Sequence, residues 1–112
     1  RAEKERKALR KEQEKQAAAI AKHEEEIIKL KQIVYQSKAD IAFLEARFGK
    51  LCDQRDYLIY LRNNLDTTRR DYDAEYCKYQ KKIITLENQM HTTDSKLSKA
   101  RFAQEQAQRK LA

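Results

Sequence analysis

Apolar residues recur along this chain at alternating steps of three and four, with one register running from Leu9 to Leu111. With Leu9 at heptad position d, the a positions include Ile20, Ile27, Val34, Ile41, Phe48, Tyr76, Ile83, Met90 and Leu97. The d positions include Leu30, Leu44, Leu51, Leu58, Leu65, Tyr72, Tyr79 and Leu86. A seam sustained over so many heptads predicts a coiled coil, because 3.5-residue spacing keeps one stripe facing a partner helix. Branched residues gather at a and Leu at d, a division that favours parallel two-stranded packing.

The expected fold is therefore all-α: a single long uninterrupted helix spanning residues 1–112 and forming a parallel two-stranded coiled coil. Turns lean on Gly and Pro. The chain has no proline and one glycine. Gly49 falls at the outward b position, and Phe48 and Leu51 hold the register across it, so no hairpin is expected there. Such a rod would be on the order of 170 Å long at about 1.5 Å per residue. The seam predicts weakly zipped, charged ends at 1–19 and 98–112, where Gln13, Gln16, Ala100, Gln104 and Ala107 replace large apolar residues. The chain opens at Arg rather than Met, so it is expected to be a fragment of a longer protein.

Three a positions break the pattern. Arg55, Arg62 and Arg69 follow one another at intervals of seven. In a parallel homodimer each would meet its own copy, and the preceding g positions, Gln54, Leu61 and Thr68, offer no acid to relieve them. Of the g-to-e′ pairs, Glu5–Arg10, Glu26–Lys31 and Lys82–Glu87 would attract, whereas Asp40–Glu45 and Lys96–Arg101 would repel. Charged a positions select partners at a cost in stability. A second, different coiled-coil chain carrying acids opposite these arginines is therefore favoured over self-pairing, with Arg55, Arg62 and Arg69 as partner-selecting residues. Around them Ile33, Tyr35, Phe43, Tyr57, Ile59, Tyr60 and Leu61 lie off the seam, where a solvated dimer should be polar. These form a candidate additional contact surface.

Charged residues make up 38% of the chain and the net charge is +7, which fits a rod better than a globular core. The excess is terminal. Residues 1–22 carry eight Lys/Arg against four Glu and residues 95–112 carry five against one, whereas residues 23–94 carry twelve against thirteen acids. Basic ends could meet an acidic surface such as a microtubule. Nucleic-acid binding through a basic zipper is disfavoured, since "RAEKERKALRKEQEK" interleaves Glu with its bases and lacks residues that read base edges. No apolar run reaches the roughly 20 residues of a membrane span, and no signal-peptide pattern opens the chain, so membrane insertion is not expected.

Catalysis finds no motif: there is no Gly-rich phosphate loop and no nucleophile–base pair. No cofactor is expected. His23 and His91 have no second ligand at helical spacing, so no metal site is expected. Cys52 and Cys77 read as reduced thiols.

The stretch "LRNNLDTTRRDYDAEY", residues 61–76, resembles coiled coils of the outer-dynein-arm docking complex of cilia. Leu61, Asn63, Leu65, Asp66, Tyr72 and Asp73 carry the resemblance, which covers about a seventh of the chain. It implies a heterodimeric coil that lies along a microtubule doublet and anchors dynein. Together these readings predict a non-enzymatic rod for oligomerisation and scaffolding in a cytoplasmic, cytoskeletal setting, with the axoneme implied by the resemblance. A membrane-trafficking tether is the alternative.

Overall fold

The computed structural model describes residues 1–112 as two helices: α1 (Ala2–Asn63) and α2 (Tyr72–Leu111). They fold back on one another as an antiparallel hairpin, 103 × 17 × 14 Å along its principal axes. The expected single uninterrupted helix is thus corrected. The chain turns at residues 64–71, and α2 takes the place on α1 that a parallel second chain was expected to fill.

The turn is built without glycine or proline. No residue has a positive φ and no peptide bond is cis. Instead the polar side chains of "NNLDTTRRD" capture the backbone. The Asn64 side-chain amide donates to the Tyr60 carbonyl at 2.7 Å, closing the last turn of α1. The Asp66 carboxylate accepts from the Thr68 backbone N–H at 2.9 Å and from its hydroxyl at 2.7 Å. The Arg69 guanidinium then donates twice to the Asp71 carboxylate, each at 2.9 Å. Short polar side chains compete with the helical ladder in this way, so Asn, Asp and Thr can end a helix where Gly and Pro are missing.

Gly49 lies inside α1, and a Cβ built on it would meet nothing within 4 Å. Seven residues are buried: Ser37, Leu51, Ile83, Met90, Thr93, Leu97 and Ala107. Each occupies an a or d position. Every a and d position from Ile27 to Leu65 is buried or half-buried. On α2 the stripe runs from Tyr72 and Tyr79 through Ile83, Leu86, Met90 and Leu97 to Ala107, with Tyr76 at its edge, 36% exposed. The heptad stripe therefore packs against itself, one half of the chain on the other. Thr93, buried at a d position, satisfies its hydroxyl by donating to the Gln89 carbonyl at 2.8 Å.

Residues 1–26 of α1 are all exposed. This segment runs past the end of α2 as a bare helix about 39 Å long by the helical rise. No helix of the structure is long and apolar enough to cross a membrane.

Candidate interaction surfaces

The arginines come first, because the fold changes their surroundings. Arg62 is half-buried at an a position and faces α2: its guanidinium donates to the Gln80 side-chain oxygen at 2.6 Å and lies 5.6 Å from the Tyr76 ring centroid. A planar cation over an aromatic face, with a polar acceptor at its edge, keeps its charge while its stem covers the seam. Arg55, also half-buried, pairs with its neighbour Asp56 at 3.0 Å. Arg69 lies in the turn, outside any helix, paired with Asp71. The clash of three self-facing arginine layers, which motivated a foreign acidic partner for this stretch, belonged to the parallel arrangement and does not arise in the hairpin.

The flanking charges sort themselves similarly. Antiparallel packing sets e against e′ and g against g′. Glu45 and Arg101, both at e, meet at 3.0 Å across the two helices. Asp40 shares a groove with Lys96 and Lys99. Asp40, Glu45, Lys96 and Arg101 are the four residues that would repel in a parallel homodimer. In the hairpin, acid faces base.

By heptad position, the two edges of the hairpin differ in charge. From residue 27 onward the e and b positions carry Glu45, Asp56, Asp66, Asp73, Glu87, Asp94 and Glu105 against Lys31, Lys38, Arg70 and Arg101. The g side forms a shallow groove between the helices, lined by Phe43, Leu44 and Arg47 with Lys96, and further along by Gln54, Tyr57 and Leu58 with Lys81, Lys82 and Leu86. Lys99 and Ala100 extend it on α2, and Asp40 is the one acid in its lining. Phe43 and Tyr57 are 67% and 62% exposed there, large aromatic areas left in water beside four lysines and an arginine. Among the other off-seam residues, Ile33, Tyr35 and Tyr60 are exposed, whereas Ile59 and Leu61 are half-buried. They do not form one patch: Tyr35 borders a separate hollow with Ile28, and Tyr60 sits at the outward f position.

The bare segment, residues 1–26, carries a second surface. Its seam positions include Leu9 and Ile20, 58% and 60% exposed. The e and g positions flanking that seam hold Glu3, Glu5, Glu12, Glu24 and Glu26, with Arg10 the one base among them. Lys4, Lys7, Lys11, Lys15 and Lys22 stand on the outer b, c and f positions. The sequence reading counted this end as basic; the register resolves it into an acid-edged seam and a basic back.

The two charged groups with displaced pKa values are both in the turn. Thr68, through its hydroxyl and then its backbone N–H, holds the Asp66 carboxyl below the ordinary carboxylate value. The hydrogen bond and charge of Asp71 hold Arg69 still more firmly protonated than an ordinary arginine. Both contacts tie side chains to neighbouring groups within the turn. His23 and His91 are exposed, Cys52 and Cys77 are free thiols, and no three His, Cys, Asp or Glu are grouped to hold a metal ion.

Sequence reasoning did not single out Gln80, the contact between Glu45 and Arg101 or a turn at residues 64–71. For the turn a signal existed: six of the nine residues in Asn63–Asp71 are Asn, Asp or Thr, interrupting an otherwise Ala/Glu/Lys/Leu-rich pattern. The stretch resembling axonemal docking coils, residues 61–76, spans the end of α1, the turn and the start of α2. Comparison with protein-family models, with curated proteins and with solved structures found no match to this chain.

Proposed function

We propose that this chain is a structural, non-enzymatic helical hairpin that works by association, holding partners along an elongated body. One observation carries the reading: the apolar stripe that closes the hairpin continues onto a bare helix, where Leu9 and Ile20 stand 58% and 60% exposed. A stripe of this kind gains its stability from a neighbouring helix, and here the chain itself supplies none. The finer part of the reading is a cytoskeletal setting in which basic residues meet an acidic filament such as a microtubule. Its support is the net charge of +7 and the resemblance of residues 61–76 to axonemal docking coils.

Co-sedimentation of the chain with microtubules over a salt series tests the finer part. Binding that weakens steadily as salt rises is expected, since exposed charges are screened beyond roughly 8–10 Å at 0.1–0.15 M. A chain left in the supernatant at the lowest salt would remove the microtubule from the proposal.

A further inference from the structure

We infer that a second copy of this chain lays its bare N-terminal helix into the basic groove of the first, so that hairpins join head to tail. The inference rests on the association reading and gives it a first partner. Two surfaces on opposite parts of one molecule are complementary. The bare helix presents Leu9 and Ile20 between edges that carry Glu3, Glu5, Glu12, Glu24 and Glu26, with Arg10 on one edge and Arg6 at the N-terminal end of the seam. The groove presents Phe43 and Tyr57 among Arg47, Lys82, Lys96 and Lys99. Apolar residues would meet aromatic rings at the centre, and the glutamates would face a groove edge in which Asp40 is the one acid.

The bare helix is long enough to fill the groove and overhang it. The bare helix is about 39 Å long and the groove, from Asp40 to Leu58, about 27 Å, both by the helical rise. The hairpin would become locally three-stranded, with the third helix covering rings that are now in water. Pairing of two bare helices with each other is the competing arrangement, and its charges oppose it. At the antiparallel register that sets Ile20 opposite Leu9 of the other copy, Glu3 faces Glu24 and Glu5 faces Glu26. Because groove and helix are different patches, the contact is heterologous. Heterologous contacts that do not close into a ring make open chains.

Sedimentation equilibrium of the 112-residue chain over a concentration and salt series tests this. Self-association with a dissociation constant on the order of 100 μM at low salt is expected for so small a contact. It should weaken roughly tenfold when salt rises severalfold. Two variants locate the contact: Glu5→Lys/Glu12→Lys/Glu26→Lys on the helix, and Lys82→Glu/Lys96→Glu/Lys99→Glu in the groove. Each alone should remain monomeric, and an equimolar mixture should associate, because the native helix of one variant then meets the native groove of the other and the reversed helix meets the reversed groove. Circular dichroism of each variant checks that it is folded. A wild-type chain that stays monomeric at about 1 mM and low salt, or a groove variant that associates as well as wild type, overturns the inference. A monomer that still co-sediments with microtubules would remove self-assembly and leave the association reading standing.

Discussion

Glu45 and Arg101 lie 56 residues apart in the chain, yet their side chains meet at 3.0 Å across the hairpin. This contact can form only if the chain reverses. Both side chains are more than half exposed, at 53% and 56%, so the pair is worth about 0.2–1 kcal/mol. A double-mutant cycle with Glu45→Ala and Arg101→Ala, followed by thermal unfolding, should return a coupling energy in that range that shrinks with salt. Spin labels at the two positions should report one short distance in a monomer, and a long distance there would refute the antiparallel register.

Ile83 is the most deeply buried large side chain, at 2% exposure. Ile83→Ala removes three carbons from the middle of the seam and should destabilise the hairpin by about 2–5 kcal/mol. Ile20→Ala, on the bare helix at 60% exposure, should change the unfolding of dilute monomer by less than about 0.5 kcal/mol. The contrast between the two, read by chemical denaturation, tests where the core stops.

Gly49 interrupts the helical propensity of α1 with open space around it. Gly49→Ala should raise stability by about 0.5–1 kcal/mol, since Ala loses less backbone freedom on folding and has nothing to strike. A destabilised variant would mean that this position is needed for a bend or a close approach not present in the hairpin.

The turn should make stability depend on acid. The Asp66 carboxyl is held below its ordinary value by Thr68, so its folded pKa lies under its unfolded one. The contribution is present above the ordinary carboxylate range and is lost as pH falls through the folded value. Melting temperatures measured from about pH 7 to about pH 2, on either side of the ordinary carboxylate range, should fall at the acid end. The Asp66→Asn variant should fall less steeply. Thr68→Val, which removes the hydroxyl but keeps the backbone N–H, should give an intermediate slope.

Arg62 is the seam arginine with a partner on the other helix. Arg62→Ala should lose the bond to Gln80 and the packing on Tyr76 together, costing roughly 1–2 kcal/mol. Arg55, paired only with its neighbour Asp56, should cost less on the same change. Equal losses at the two sites would argue that the contact between Arg62 and α2 contributes little.

The heptad register was legible because it depends only on spacing: every buried residue, from Ser37 to Ala107, sits at a or d. What that register packs against was not legible. Leu65 and Tyr72 are both d positions, seven apart, so the eight-residue turn between the helices preserves the phase that an unbroken helix would also show. Periodicity cannot tell the two apart. Flank charges could have done so. Asp40–Glu45 and Lys96–Arg101 read as repulsive in a parallel pair, and the same four residues face opposite charges once the chain folds back. Gly49 does lie within a helix, as expected, but setting it aside left no break anywhere, whereas Asn64, Asp66 and Thr68 end α1 through side-chain hydrogen bonds with ordinary backbone angles.

The antiparallel seam also makes the molecule mechanically anisotropic. Tension between Arg1 and the turn runs along α1, where it is borne by the helix's own backbone ladder. Tension on Ala112 directed away from α1 instead lifts α2 one layer at a time, beginning beside Ala107 and moving toward Ile83. Force spectroscopy with handles at Arg1 and the turn, and then at Arg1 and Ala112, should therefore give a stiff response in the first case and low-force peeling in the second.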